Sequence, residues 1–401
     1  MPVTSTEART GGAWFLVLLG SLTMLPPLSI DISLPGLPTI ARALAAPPAL
    51  IQSSLSAFIF AFGAGQLVLG PLSDRYGRRP VLLYGLSLYA LSGIGCTLVT
   101  DGGVLVALRL LQGLGACAGT VCARAIAQDL SHDRAGSTFR QSILTSVNSL
   151  APVIAPLLGA AILVWLGWRQ LYGLLAVVGV LLVALVALLL PETSPRISRS
   201  LLEAYRRVLL LPRTLGLMLM VASQFLGFFA LIAGSPFALI VQLHLSSTQF
   251  ALAFAINSTS FIVAAALNAR LVRFVEPERL FAAGTALVLT ATVLAWGVDT
   301  YAPSVGGFIA TWSLFAFGVA FTTPGAYGAL LSLARSDAGL AAGLLGATQA
   351  VGGALGGTLS GAQSALPTTT LGLFALLGGV GTTAGYLLSK PTLSHQANNG
   401  S

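Results

Sequence analysis

The amino-acid sequence predicts an all-α integral membrane protein with twelve transmembrane helices, and two observations support this prediction. Of the 401 residues, 55% are hydrophobic and only 8% are charged, whereas a soluble protein carries about 25% charged residues. A large soluble core does not explain so few charges, because such a core still lies under a polar surface. The chain also contains twelve apolar runs, each long enough to cross a bilayer, which takes about 20 helical residues.

The apolar runs form two groups of six. The first run follows a short polar start, 1–12, and is too long for the core of a signal peptide, so we expect it to remain as a membrane helix. The longest polar break, 191–212, predicts a linker between an N-terminal half, 1–190, and a C-terminal half, 213–401. The expected helices are 13–35, 50–72, 80–99, 103–123, 140–165, 169–190, 213–240, 248–268, 279–298, 303–326, 338–361 and 369–388.

The basic residues predict how these helices are oriented. With the N-terminus in the cytoplasm, seventeen of the twenty Lys and Arg residues fall on the cytoplasmic side, while Arg42 and Arg169 fall outside and Arg109 lies within a span. Loops with an excess of Lys and Arg remain in the cytoplasm. The sequence therefore predicts that both termini are cytoplasmic.

Composition also argues against several other classes of protein. The net charge is +8, but the basic residues are dispersed through short loops and form no basic tail or patch of the kind that binds nucleic acid. The three cysteines lie in apolar runs without C-x-x-C spacing, which argues against a disulfide or a metal site. A membrane-embedded enzyme would need several His, Cys or acidic groups at one depth, and the spans contain no such cluster. We therefore expect no enzyme, no cofactor, no metal and no nucleic-acid partner.

A short charged segment joins the second apolar run to the third. Gly77 permits a turn conformation that other residues resist, and Pro80 suits the first turn of the next helix. From Gly70 to Pro80 the segment reads Gly-Pro-Leu-Ser-Asp-Arg-Tyr-Gly-Arg-Arg-Pro. It resembles the loop between helices 2 and 3 of major facilitator superfamily transporters, Gly-x-Leu-x-Asp-Arg-x-Gly-Arg-Arg, and fills every fixed position. The resemblance implies the major facilitator fold, with two six-helix halves.

In that family the loop is a conformational switch, linked to helix 11 and to the end of helix 4. The resemblance implies that Asp74 lies near Asp337, at the start of helix 11, where the helix dipole favours negative charge. It also implies that Arg78 pairs with Asp129, which closes helix 4. The alternative is a solvated loop that only sets the topology. The expected switch residues are Gly70, Asp74, Arg75, Gly77, Arg78, Arg79 and Asp129.

Two ionisable residues, Asp31 and Arg109, lie well inside the expected spans, and such residues mark functional sites in membrane proteins. At 1.5 Å per residue, Asp31 lies about 26 Å from the inner edge and Arg109 about 9 Å from the outer edge, so both occupy the outer half of the membrane. Burial favours the neutral form of a carboxyl group, which makes Asp31 the candidate proton carrier, with Arg109 favouring its ionised form. Alternatively, Asp31 belongs to the outer loop, and Arg109 pairs structurally with a backbone carbonyl or Gln112.

The fifth run carries Pro152 and Pro156, four residues apart on one helix face. Each proline removes an intrahelical hydrogen bond, so neighbouring groups must satisfy the freed carbonyls. Together with Gly159 they resemble the antiporter motif of helix 5, although Ala155 and Ala160 stand where that motif has glycine. Glycines at four-residue spacing in 338–361 predict a close seam with the second span.

Polar and aromatic side chains inside the spans are the candidates for a substrate cavity. We expect no buried charge in the C-terminal half, so its cavity wall would be apolar and aromatic, which suits amphiphilic drugs better than sugars. For each residue the alternative is a role in helix packing. The candidates are Asn148, Gln224, Phe228, Asn257, Trp312 and Gln349.

Two further stretches narrow the resemblance to the Bcr/CflA branch, which contains bicyclomycin, chloramphenicol and florfenicol exporters. The stretch from Pro27 to Pro38 resembles helix 1 of that branch, and the stretch from Arg109 to Gly115 resembles a helix 4 motif in which the Arg is linked to proton transfer. Multidrug exporters of this group can carry a second acid in helix 1, where this chain has Thr23. The number of protons exchanged therefore stays open.

The resemblance implies secondary active transport, that is, proton-coupled efflux of drugs across the bacterial inner membrane by alternating access. The expected partners are a small amphiphilic drug or metabolite, protons and membrane lipid, and we expect a monomer. One alternative is proton-coupled export of a sugar, an amino acid or a peptide on the same fold. A further alternative is a passive channel, which would not need Asp31.

Overall fold

The computed structural model describes residues 13–130, 134–192, 206–211, 213–334, 338–362 and 369–389. Within these residues it contains twelve helices long and apolar enough to cross a membrane, the number that the sequence predicts. In chain order they are α1 Ala13–Asp31, α2 Pro48–Tyr76, α3 Arg78–Leu98, α4 Gly102–Asp129, α5 Arg134–Trp165, α6 Arg169–Leu189, α7 Thr214–Pro236, α8 Ser247–Leu271, α9 Pro277–Tyr301, α10 Val305–Leu333, α11 Ala338–Ala362 and α12 Thr369–Ser389.

Helix α1 ends earlier than the sequence predicts, at Asp31 instead of residue 35. Pro35 has no N–H to donate to the carbonyl of Asp31, so the helical ladder cannot continue there. The chain instead forms a short 3₁₀ turn, Leu34–Gly36, and then a separate short helix, Leu37–Ala43. The end of α1 therefore lies inside the bundle, beside other helices.

Several helix pairings recur in the first six and the last six helices, which we call the N-half and the C-half. In the N-half, α1 packs on α5, α2 on α4, and α3 on α4 and α6. In the C-half, α7 packs on α11, α8 on α10, and α9 on α10 and α12. The halves meet mainly where α2 packs against α11 and α5 against α8.

The bundle has two ends, which we name by their residues. The signature end carries Gly70–Pro80, and the opposite end carries the turn after α1 and the start of α2. Most of the predicted linker, 193–205 and 212, lies outside the described residues. Of the rest, Glu192 lies against the start of α3, at the signature end.

Candidate functional site

Asp31 is the last residue of α1, and its side chain is only 4% exposed. In the part of the chain that the structure describes, no hydrogen bond or ion pair reaches its carboxylate. Helix α5 packs against the next residue, because a Cβ atom at Gly159 would collide with the carbonyl oxygen of Ile32. Asp31 is thus a buried acid at a helix end, which contradicts the alternative of a solvated loop position.

Arg109 on α4 is fully buried beside the same end of α1. Its Nη1 donates to Gln112 Oε1 at 2.6 Å, and its Nη2 donates to the carbonyl oxygen of Ser29 at 3.0 Å. The guanidinium also lies 4.4 Å from the ring centroid of Phe58, a cation–π distance. Gln112 and a backbone carbonyl are the partners expected if Arg109 has a structural role. No ion pair joins Arg109 to Asp31 among the described residues.

The early end of α1 explains why Arg109 binds its backbone. In a regular helix the N–H of Ser33 would donate to the carbonyl of Ser29. Here it donates instead to the carbonyl of Ile30, at 3.3 Å. The carbonyl of Ser29 is therefore one of the groups left over at the helix end, and Arg109 satisfies it. Because Ser29 precedes Asp31 by two residues, the arginine and the acid lie at similar depth.

The switch segment folds as a tight turn between α2 and α3. Gly77 has φ of 107°, a backbone region that glycine adopts readily and other residues resist. The Arg78 guanidinium lies 2.6 Å from Asp74, 3.2 Å from Asp129 and 2.6 Å from the hydroxyl of Ser73. The expected contact between Arg78 and Asp129 is therefore present.

Three other switch residues, Asp74, Gly70 and Arg75, differ in their surroundings. The predicted neighbour of Asp74, Asp337, lies outside the described residues. A Cβ atom at Gly70 would meet only Val121 among the described residues, at 3.9 Å, so no described helix packs closely against Gly70. Arg75 lies 5.4 Å from the ring centroid of Tyr76, at the exposed surface of the signature end.

Glu192 is a residue of this site that the sequence analysis did not identify. Its carboxylate accepts hydrogen bonds from the backbone N–H groups of Arg78, at 2.8 Å, and Arg79, at 3.2 Å. These N–H groups belong to the first turn of α3, where a helix lacks internal acceptors and favours negative charge. Arg79 also donates to the carbonyl of Ala187 at 2.6 Å. The sequence feature that could have identified Glu192 is an acidic residue just after the end of the sixth apolar run.

We expect Glu192→Ala to destabilise the protein by about 1 kcal/mol, since it removes an anionic cap from a helix N-terminus. Glu192→Gln retains an acceptor without the charge, so it should lose less. The measurement is the unfolding midpoint in detergent. Glu276→Ala is the matched control, because Glu276 precedes α9 without a capping hydrogen bond and pairs with Arg279 at the exposed surface. Equal midpoints for Glu192→Ala and the unsubstituted protein would contradict the capping role.

The carbonyl of Pro152 on α5 faces the C-half. Pro156 cannot donate to the carbonyl of Pro152. The hydroxyl of Ser258 on α8 lies 3.0 Å from that oxygen and 3.0 Å from the carbonyl of Phe254 in its own helix, so the two carbonyls share its one proton. The other half of the molecule thus satisfies a carbonyl that a proline freed. This contact explains how the missing intrahelical hydrogen bond is compatible with burial in a membrane.

Ser258→Ala should weaken the contact between the halves by about 0.6 kcal/mol, the average for side-chain hydrogen bonds between membrane helices. In a Pro156→Ala background the new N–H can reach the carbonyl of Pro152, so the same serine substitution should have little further effect. Unfolding midpoints of the four proteins form a double-mutant cycle. Ser260→Ala is the control, since Ser260 bonds only within its own helix among the described residues. Additive effects would contradict the contact.

Three of the substrate candidates, on α7 and α8, contact side chains of α10. Phe228 on α7 stacks on Phe315 of α10, with 6.3 Å between the ring centroids. One helical turn before Phe228, the side-chain amide of Gln224 donates a hydrogen bond to the hydroxyl of Thr322 on α10. Asn257 accepts from the hydroxyl of Ser313 at 2.7 Å. In these candidates two buried amide atoms have no partner among the described residues, Oε1 of Gln224 and Nδ2 of Asn257.

The remaining candidates have different surroundings. Gln349 accepts from the hydroxyl of Tyr327 at 3.1 Å, between α11 and α10. Asn148 is half-buried on α5. Trp312 is 3% exposed and lies edge-on to Phe254 and Phe308, with centroids 5.3 Å apart in each pair. It lines a cavity inside the C-half.

That cavity also corrects the expectation of a C-half without buried charge. Asp299 is 6% exposed and lines the cavity with Trp312, Thr292 and Thr311. The predicted span ended at residue 298, but α9 continues to Tyr301 and carries Asp299 into the bundle. The N–H of Gly372, in the first turn of α12, donates to its carboxylate. Asp299 therefore joins the end of α9 to the start of α12.

Twelve spanning helices in two repeats of six are the architecture of a secondary transporter. Residues 19–357 match the family model described as Major Facilitator Superfamily. The chain therefore belongs to the major facilitator superfamily. Together with the apolar helices, its bacterial relatives identify it as a multi-pass protein of the bacterial inner membrane.

The relatives include resistance proteins, as the resemblance to the Bcr/CflA branch predicts. YdgK of Bacillus subtilis, an uncharacterized MFS-type transporter, is 38% identical over 69% of this chain and 71% of that protein. A bicyclomycin resistance protein homolog of Haemophilus influenzae is 33% identical over 69% and 73% of the two chains. A chloramphenicol resistance protein of Pseudomonas aeruginosa is 32% identical over 76% and 73%.

A solved structure shows the same fold. The crystal structure of a bacterial homolog of the human lysosomal transporter Spinster, inward-facing and unoccupied, has a TM-score of 0.72. It covers 96% of this chain and 95% of that one at 16% identity. The similarity at this identity concerns the fold alone.

Proposed function

We propose that this protein exports small amphiphilic drugs from the cytoplasm in exchange for protons. The observation that carries the proposal is the buried carboxylate of Asp31, which has no partner among the described residues and lies two residues from the carbonyl that Arg109 binds. A buried acid without a partner can exist in both protonation states. The named resistance proteins among the relatives supply the class of substrate.

We propose further that the signature end faces the cytoplasm, with both termini on that side. The basis is the distribution of basic residues, because loops rich in Arg and Lys are retained in the cytoplasm. The opposite end, with the turn after α1, then faces the periplasm. The protein is proposed to act as a monomer of two halves that rock about the lipid-embedded seam between them.

In this mechanism Asp31 takes up a proton while the cavity is open to the periplasm. Neutralisation of the acid removes its attraction for a polar or cationic group of the drug, which leaves. The protonated protein then opens towards the cytoplasm, where the proton is released and a new drug molecule binds. Arg109 favours the ionised form of Asp31, and the unpaired atoms of Gln224 and Asn257 bind polar groups of the drug.

The test is drug uptake into inverted membrane vesicles, whose interior corresponds to the periplasm. Labelled chloramphenicol is the first probe, because a relative is named for resistance to it. We expect uptake when the interior is made acid and little uptake without a pH gradient or with an uncoupler. Equal uptake with and without the gradient would contradict proton coupling. Uptake of a sugar, an amino acid or a peptide, with no drug of a panel transported, would support the metabolite exporter instead.

A further inference from the structure

The last turn of α1 is bound at Ser29 by two other helices of the N-half. The carbonyl oxygen of Ser29 accepts a hydrogen bond from Arg109 of α4, at 3.0 Å. Its hydroxyl oxygen lies 2.6 Å from the hydroxyl of Tyr89 on α3. Asp31 follows two residues later and ends α1. The position of this acid therefore depends on the contacts of an uncharged residue in the same turn.

The hydrogen bonds of Ser29 establish which hydroxyl donates to the other. The hydroxyl of Ser29 also lies 2.6 Å from the carbonyl oxygen of Leu25, one turn earlier in α1. A carbonyl oxygen can only accept, and a serine hydroxyl has one proton to donate. Ser29 therefore donates to Leu25, and Tyr89 donates to the hydroxyl oxygen of Ser29.

Tyr89 reaches α1 because two glycines leave room for it. It is 0% exposed. A Cβ atom at Gly115 of α4 would lie 2.8 Å from the Cβ atom of Tyr89, and a Cβ atom at Gly179 of α6 would lie 2.9 Å from Cδ1 of its ring. Since packing already fixes the ring, the hydrogen bond to Ser29 costs little further side-chain entropy.

A second buried tyrosine beside the same arginine has different contacts. Tyr172 of α6 is also 0% exposed, and its ring centroid lies 5.8 Å from the guanidinium carbon of Arg109. Its hydroxyl has no hydrogen-bond partner in the part of the chain that the structure describes. Burial beside Arg109 therefore does not by itself bring a tyrosine into contact with α1, and the bond from Tyr89 is specific to its position.

We propose that Tyr89 is a positioning residue for Asp31, which it holds in place together with Arg109 through Ser29. The two helices bind different atoms of Ser29, so the bond from Tyr89 can persist while Arg109 moves towards the charge of the ionised acid. Tyr89 itself contacts neither the drug nor the exchanged proton. Its role in coupling rests on the proton exchange proposed above, whereas its hydrogen bond to Ser29 does not.

The first experiment tests the hydrogen bond in the purified protein without a drug. Tyr89→Phe removes the donor, but the hydroxyl of Ser29 keeps its bond to Leu25. Ser29→Ala instead leaves the hydroxyl of Tyr89 buried without this acceptor, which costs more. We therefore expect Tyr89→Phe to lower the unfolding midpoint of the unsubstituted protein and to raise that of Ser29→Ala. A change of the same sign in both backgrounds would overturn the proposal.

The second experiment measures pH-gradient-driven drug uptake by the inverted vesicles at a series of pH values. We expect Tyr89→Phe to lower uptake by about fivefold or more and to shift its pH dependence, because one of the two hydrogen bonds that reach Ser29 from other helices is lost. A purely structural loss would lower uptake equally at every pH. An unchanged pH dependence for Tyr89→Phe would overturn the role in coupling.

Tyr172→Phe is the matched control. It also removes a hydroxyl from a fully buried tyrosine beside Arg109, but it breaks no hydrogen bond among the described residues. It should leave both uptake and its pH dependence unchanged, and a shift equal to that of Tyr89→Phe would contradict the proposal.

The two experiments also separate this inference from the proposed function. The unfolding midpoints require no transport, so they decide whether Tyr89 donates to Ser29 even in a protein that exports no drug. Absence of pH-driven uptake by the unsubstituted protein would refute proton-coupled export and, with it, the role of Tyr89 in coupling.

Discussion

Asp31→Asn is expected to reduce pH-gradient-driven drug uptake to the level of vesicles without the protein. The amide has nearly the shape of the carboxylate but cannot bind and release a proton at physiological pH. Because no hydrogen bond or ion pair reaches Asp31 among the described residues, the substitution should not disturb the fold. The variant should therefore keep its unfolding midpoint while it loses coupling.

The measurement is proton release driven by addition of drug to the purified protein, together with the vesicle assay. Asp299→Asn is the matched control, because it neutralises the buried acid of the other half. This control should still release protons, and its amide oxygen can still accept the hydrogen bond from the N–H of Gly372. Unchanged drug-driven proton release from Asp31→Asn would exclude Asp31 as the proton carrier.

Arg109→Lys is expected to lower transport by about tenfold or more, with the charge unchanged. The guanidinium reaches Gln112 and the carbonyl of Ser29 with two separate nitrogen atoms, while a lysine ammonium is a compact point charge without this fork. A hydrogen bond of a charged group contributes about 1.5–3 kcal/mol, so the loss of one corresponds to about tenfold or more. The end of α1, which carries Asp31, should lose its fixed position.

The readout is the pH dependence of uptake, which a purely structural role would leave unchanged. We expect the activity of Arg109→Lys to shift along the pH axis as well as to fall. Arg169→Lys is the control, since Arg169 also donates to a backbone carbonyl, that of Val99 at 3.0 Å, and lies 4.3 Å from the ring of Trp168. Full activity of Arg109→Lys with an unchanged pH profile would show that the fork has no part in coupling.

Much of the fold could be predicted from composition and spacing. A chain with 8% charged residues cannot cover its surface with polar groups, so lipid must be its solvent, and the length of each apolar run follows from bilayer thickness. The contact between Arg78 and Asp129 could be predicted as well, because the charged segment matches a known pattern at every fixed position. The predicted end of α1, residue 35, lies beyond the observed end at Asp31. The apolar composition continues through Pro35, but the helical hydrogen bonds do not.

The sequence by itself determined the membrane class, the twelve helices, the family and the presence of a buried acid and a buried arginine. Only the tertiary structure decided which groups meet: Arg109 with the carbonyl of Ser29, Ser258 with the carbonyl of Pro152, and Glu192 with the first turn of α3. Each of these pairs joins a side chain to backbone, and every residue has the same backbone groups. No residue type marks such a partner in advance, so these contacts depend on where helices end and how they pack.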